Sequence, residues 1–211
     1  HTFSMKTSSC LVNPRACNET ELNYTPTDRK KKVAVVGAGA AGMQASIVLD
    51  ERGHDVTLFE ASDKIGGQLN MAAVIPGKEE FHGMLGYFAR MIELSSVEVR
   101  LNTRASVNDL EGYDEVIVAT GVTPRDPGIE GQNHPKVLSY IDVLAGKAEV
   151  GEKVAVIGAG GIGFDVTEYL VQEHPSPTVN VEEWLEEWGV GDPEKVPGGL
   201  AAQGPQPSAP A

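Results

Sequence analysis

The 211-residue chain carries the pattern G-x-G-x-x-G twice, each copy after a short apolar run. Gly37-Ala38-Gly39-Ala40-Ala41-Gly42 follows Val33-Ala34-Val35-Val36, and Gly158-Ala159-Gly160-Gly161-Ile162-Gly163 follows Val154-Ala155-Val156-Ile157. One such glycine pattern arises readily by chance. Two copies, each between a strand-like run and a helical pattern, point to an α/β fold with parallel strands. In such a unit the first glycine allows the tight turn out of the strand. The second lets the backbone approach a pyrophosphate, and the third lets the helix pack closely on the sheet. The helix N-terminus then offers unpaired N–H groups and a partial positive charge to an anion.

The first unit reads as complete. A strand over 33–36 feeds the turn, a helix follows over about 41–52, and Gly53 supplies the stop before a second strand, Val56-Thr57-Leu58-Phe59. Lys78-Glu79-Glu80 opens a further helix, whose Phe81, Met84, Leu85, Phe88, Met91 and Ile92 recur at helical spacing as core contacts. Val97-Glu98-Val99-Arg100-Leu101 alternates like a half-buried strand, and Val116-Ile117-Val118-Ala119 reads as a buried parallel one. Pro and Gly over 123–128 mark a boundary. Beyond it, a short helix is expected over 137–144, and residues 153–171 repeat the β–turn–helix pattern. The expected organisation is a connecting segment over 1–30 and a Rossmann-like nucleotide lobe over 31–127. The start of a second Rossmann-like lobe follows over 128–174, then an acidic insertion with a loose Pro/Gly/Ala-rich tail over 175–211. Within that insertion, Trp184, Leu185 and Trp188 fall on one face of a short amphipathic turn.

Charge narrows the partners. Thirty acidic residues against 17 basic ones give a formal charge of −13, which argues against nucleic acid or an anionic membrane. The residues from Glu173 to Lys195 include seven carboxylates and one lysine, whereas Arg29-Lys30-Lys31-Lys32 is basic; both read as solvated surface. No apolar run approaches the roughly 18 residues of a membrane span, and two cysteines form no disulfide framework, so a reducing, cytoplasmic setting is expected. His54, His82, His134 and His174 stand at no spacing that suggests a metal site.

The residues around the first turn favour FAD over NAD. Glu60, 18 positions past Gly42 at the end of the second strand, can accept both ribose hydroxyls of an adenosine. Gly66-Gly67-Gln68 follows, and a glycine pair there lets the chain pass close to a flavin's diphosphate. Ala119-Thr120-Gly121, at the end of a strand, completes the set, with Thr120 and Gly121 as site residues. In the second unit, Gly158, Gly160, Gly161 and Gly163 form a cradle for a nicotinamide nucleotide. The strand whose last residue would select NADH or NADPH is not legible there.

Longer stretches carry a resemblance. Ser9-Cys10-Leu11-Val12-Asn13-Pro14-Arg15-Ala16-Cys17, Ile75-Pro76-Gly77-Lys78-Glu79-Glu80-Phe81, His134-Pro135-Lys136-Val137-Leu138-Ser139-Tyr140 and Gly160-Gly161-Ile162-Gly163-Phe164-Asp165 together resemble the C-terminal half of bacterial NADPH-dependent 2,4-dienoyl-CoA reductases. Those enzymes belong to the iron–sulfur flavoprotein group that includes trimethylamine dehydrogenase. The resemblance runs from about Cys10 to Leu200 and covers a minority of the family's length. It implies a relay in which hydride passes from NADPH to FAD, and electrons then move through a [4Fe–4S] cluster to FMN in a β/α barrel that reduces an unsaturated acyl-CoA. It also implies that Ala41 and Gln68 line the FAD site and that Cys10 is the fourth cluster ligand, with Cys17 a structural thiol. The barrel and its catalytic residues are absent from this sequence. A related enoate reductase or amine dehydrogenase would share the same half, and a nucleotide-binding module without turnover is the reading from a different class.

Overall fold

The computed structural model describes residues 2–172 and 175–206. His174 and residues 207–211 of the expected loose tail lie outside the described residues. The chain divides into two compact units: the N-terminal part through Leu69 together with Gly83–Arg125, and Asn70–His82 together with the chain from Asp126 onward.

The first unit is built on a parallel sheet of β1 (Lys32–Val36), β2 (Asp55–Phe59), β3 (Glu98–Arg100) and β4 (Glu115–Val118), in the order β3-β2-β1-β4. The alternation and β-branched content of these segments suit a pleated surface. Val33, Ala34 and Val35 of β1 and Val56, Leu58 and Phe59 of β2 are buried. Helix α1 (Ala40–Glu51) contributes Met43 and Ile47 to the core, and the longer α3 (Glu80–Leu94) contributes Met84, Phe88 and Ile92. The four-residue spacing of those last three puts them on one face. Between these two helices in the chain lies the single turn α2 (Leu69–Ala72).

Register matters more than content here. Val36 pairs with both Phe59 and Val118, and Phe59 pairs with Arg100, so all four strands end at one edge of the sheet. The residues that follow, Gly37, Glu60 and Ala119, are thereby brought side by side. Crevices at the carboxyl edge of a parallel sheet are where such folds bind ligands.

Two expectations change in this unit. β4 is an edge strand rather than a buried one: Val116 is 41% and Val118 73% exposed. It pairs only with β1, and no strand among the described residues covers its other side. Residues 70–82, placed by sequence order inside the first lobe, pack with the second unit.

In that second unit Ile75, Leu144 and Val166 form a small core, with Met71, Val74, Tyr140, Tyr169 and Leu170 packed against it. It joins the 70–82 segment to α4 (Tyr140–Leu144) and α5 (Gly161–Val171). Ser139 caps α4 by accepting the Asp142 N–H. Lys78 pairs with Asp165 of α5 at 2.6 Å, and the Thr178 hydroxyl donates to Glu79 at 2.9 Å.

The run 154–157 is not a strand. Its Val154, Val156 and Ile157 are exposed, Ile157 at 81%, and the turn and helix form without it. An apolar run becomes a parallel strand only where neighbours take up its backbone hydrogen bonds. Among the described residues, the second unit's strand pairing is limited to an isolated bridge between Val190 and Leu200.

The tail, as far as residue 206, meets the helix before it. Helix α6 (Val181–Glu187), capped by Asn180, sets the Trp184 and Trp188 rings 6.0 Å apart. The following chain turns back on it: the Ala201 N–H bonds the Gly189 carbonyl at 2.8 Å, and the Gln206 N–H bonds the Glu187 carbonyl at 2.7 Å. A Cβ on Gly189 would overlap the Gly204 backbone, so close approach of two backbones replaces an apolar core in this stretch.

Candidate functional site

The first glycine turn is locked by contacts that only glycine allows. Gly37 sits at φ +106°, and a Cβ there would overlap the Ala119 carbonyl oxygen. A Cβ on Gly42 would overlap the Gly37 carbonyl oxygen, which is how the start of α1 comes to lie against the turn. The buried Ser46 hydroxyl donates back to the Gly42 carbonyl at 2.8 Å. Gly39 is different. It is the N-cap of α1, makes no side-chain cap bond, and a Cβ there would meet nothing within 4 Å. The turn is therefore crowded on its protein side and open at Gly39, and the N–H groups beginning α1 at Ala40 and Ala41 follow that open position.

Two further segments close on the turn. The Gly66 N–H donates to the Ala38 carbonyl at 2.8 Å, and a Cβ on Gly67, at φ +52°, would come within 3.2 Å of the Gly39 Cα. The Gln68 side-chain amide donates to the Val122 carbonyl at 3.0 Å, just past Thr120 and Gly121. The structure thus brings together Gly37, Gly39, Gly42, Gly67, Gln68, Thr120 and Gly121.

Glu60 belongs to the same group. Its Oε2 accepts the Ala38 N–H at 2.8 Å, and its Oε1 accepts the N–H and the hydroxyl of Ser62, each at 2.8 Å. Partial burial pushes this carboxyl up, and the hydrogen bonds from the Ser62 and Ala38 N–H groups and the Ser62 hydroxyl more than offset it, leaving the group below its ordinary value. A native carboxyl held low adds stability that is present at neutral pH and lost as the pH falls through that lowered value. Ser62 and the Val122 carbonyl were not legible as site residues. A serine two positions after a strand-end carboxylate is the only sequence signal for the first, and a backbone carbonyl leaves none.

The second turn repeats the first closely. Gly158 sits at φ +122°, a Cβ on Gly163 would overlap the Gly158 carbonyl oxygen, and the Thr167 hydroxyl donates to the Gly163 carbonyl at 2.8 Å, as Ser46 does to Gly42. Gly160 caps α5 without a side-chain bond and, like Gly161, has open space at its Cβ position. The local turn forms even though the run before it is unpaired.

Cys10 is exposed, and hydrogen bonds from the backbone N–H groups of Asn13 and Val12 lower its thiol from the ordinary value. Cys17 is also exposed, at φ +63°. His54 and His134 each accept a backbone N–H through Nδ1, from Lys31 and Lys136. Among the described residues no group of three or more His, Cys, Asp or Glu side chains could hold a metal ion. A cavity of about 410 Å³, lined by Arg15, Tyr24, Gln44, Glu51, Tyr87 and Met91 among others, lies apart from the glycine turn and includes none of its residues. No helix among the described residues is long and apolar enough to cross a membrane.

Residues 31–181 match the family described as pyridine nucleotide-disulphide oxidoreductase. The chain belongs to that family. It is thus part of an oxidoreductase family whose domain implies FAD and a nicotinamide nucleotide. The chain is 38% identical to a metal reductase of Desulforamulus reducens over 178 residues, covering 82% of this chain and 27% of that protein. It is 38% identical to a cinnamate reductase of Clostridium sporogenes over 175 residues, covering 82% of this chain and 26% of that protein. A solved 2-naphthoyl-CoA reductase complex superposes with a TM-score of 0.73 at 37% identity, covering 77% of this chain and 25% of that one. The chain therefore spans about a quarter of the length of the curated relatives it matches. As a member of this oxidoreductase family, it is a flavin-dependent electron-transfer module related to these reductases.

Proposed function

We propose that this chain is the electron-input half of an iron–sulfur flavoprotein of the 2,4-dienoyl-CoA reductase kind, binding FAD on its first glycine turn and NADPH on its second. The observation that carries the FAD assignment is the junction at the first turn. Glu60 is bonded to the turn through Ala38, Gly67 lies against Gly39, and the space at Gly39 is open. A dinucleotide fits that arrangement. Its diphosphate would lie at Gly39 and the first N–H groups of α1, beside Ala41, and its adenosine ribose at Glu60. Gly37 and Gly42 hold the turn in shape, and Gly67, Gln68, Thr120 and Gly121 border the flavin side. When bound, FAD supplies acceptance of hydride from a reduced nicotinamide and its return as single electrons.

Gly158, Gly160, Gly161 and Gly163 would cradle the nicotinamide nucleotide's phosphates at the start of α5. The exposed, unpaired run at 154–157 leaves this cradle less supported than the first.

A [4Fe–4S] cluster needs four thiolates. Cys10, a free and exposed thiol, is the one this reading assigns, and the described residues do not supply a full set. In our reading Cys10 contributes one ligand to a cluster completed by other parts of the intact protein. FMN and an unsaturated acyl-CoA would likewise bind outside this chain. The likeness to a cinnamate reductase supports a second reading, the same half of an enoate reductase.

The FAD assignment is tested by incubating the chain with excess FAD and passing it through gel filtration. Near-stoichiometric flavin absorbance should travel with the protein. Protein that emerges colourless would overturn the assignment.

A further inference from the structure

The half-buried Glu60 carboxylate is held from two sides. Oε1 receives two donors from one residue, the N–H and the hydroxyl of Ser62, while Oε2 receives the Ala38 N–H. Ser62 is itself held in place: its one hydroxyl proton is shared between Glu60 Oε1 and the Lys64 carbonyl oxygen, each at 2.8 Å, and its own carbonyl accepts the Asn102 N–H at 2.8 Å. A glutamate side chain free in solvent loses substantial rotamer entropy when it is ordered, a cost that falls on binding if the carboxylate is ordered only then. Here the ordering is already present. The carboxylate is gripped from the glycine turn on one side and from the loop after β2 on the other. A carboxylate has about four acceptor positions, so three donors still leave capacity for a ligand hydroxyl.

We infer that Ser62 is a positioning residue for the nucleotide site, holding the Glu60 carboxylate in register with the Ala38 N–H at the place where the adenosine ribose of FAD binds. The inference rests on the reading of Glu60 as the ribose carboxylate. Ser62 acts through Glu60 and carries no charge, so its effect is orientation rather than attraction. The charged neighbours are otherwise arranged: Asp63 and Lys64 follow in the same loop, and Arg100 at the end of β3 is engaged by Glu98 at 2.9 Å.

The test is a double-mutant cycle on the full chain, with FAD affinity read by calorimetry. Ser62→Ala is expected to weaken FAD binding about five- to tenfold, the worth of one ordinary hydrogen bond, and Ser62→Thr, which keeps the hydroxyl, is expected to restore it. In a Glu60→Ala background, adding Ser62→Ala should cost nothing further, because the group it positions is gone. A serine that merely stabilised the loop would show the same loss in both backgrounds, which would overturn the inference. So would wild-type affinity in Ser62→Ala while Glu60→Ala binds weakly, a result that leaves the ribose assignment standing. Wild-type affinity in Glu60→Ala would overturn the ribose assignment and, with it, the role of Ser62.

Discussion

Replacing Gly42 with alanine is expected to abolish FAD retention and to destabilise the first unit by about 1–3 kcal/mol, the range for overpacking a close contact. The added Cβ would overlap the Gly37 carbonyl oxygen, and Gly37 is in turn pressed against Ala119, so neither backbone can give way without opening the turn. Gly39→Ala separates the two consequences. Its Cβ would enter open space, and the residue's φ of −75° suits any side chain, so the melting temperature should stay near wild type. The methyl group would nonetheless stand where the diphosphate must approach, and flavin affinity should fall. Thermal melts and flavin titration of the pair check this. A Gly42→Ala protein with wild-type melting and wild-type FAD binding would mean that the turn is not held as described.

Phe59→Ala is expected to give the largest loss of stability of any single truncation near the site, about 3–5 kcal/mol. Phe59 is 1% exposed, meets Tyr113 edge-on with ring centroids 6.0 Å apart, and has the Arg100 guanidinium 5.3 Å above its ring. It is also the last residue of β2, and its carbonyl accepts the Gly37 N–H at 2.8 Å. A cavity there would loosen the strand end that presents Glu60, so chemical denaturation should show a lower midpoint together with weaker FAD binding. A variant with an unchanged midpoint would contradict the packing argument.

The first unit was legible because its signals are local. The apolar strand runs, the helical spacing of Met84, Phe88 and Ile92, and the glycines of the turn all state a conformation without reference to distant residues. The places of Glu60 and Gly67 beside that turn follow from their offsets in the sequence, whereas Gln68 is singled out only through the resemblance. What escaped the sequence depends on partners. Val116 and Val118 have the composition of a buried strand, but burial is decided by whether another element covers them. The run Val-Ala-Val-Ile at 154–157 differs from Val-Ala-Val-Val at 33–36 by a single methylene, but among the described residues it has no neighbouring strand to pair with. The 70–82 segment lies within the first lobe in sequence order yet packs through Ile75 against Leu144 and Val166, a choice that no periodicity within the segment encodes. The stretch from Pro197 has the Gly, Ala and Pro content of a loose segment, and composition does not report the backbone hydrogen bonds by which Ala201 and Gln206 meet Gly189 and Glu187. Ser62 escaped for a related reason, since an exposed serine announces its role only through the carboxylate it holds.

If the first turn recognises a flavin through its adenosine diphosphate part, FAD and FMN must bind it very differently. The two share the flavin ring, but FMN lacks the adenosine ribose and the second phosphate. Charge-assisted hydrogen bonds are worth roughly 1.5–3 kcal/mol each, so losing two of them should weaken binding by about a hundredfold or more. In a fluorescence titration of the full chain, FAD is predicted to saturate at one per chain while FMN shows little binding over the same concentrations. Equal affinity for FAD and FMN, or binding of neither, would contradict the assignment of the glycine turn and Glu60.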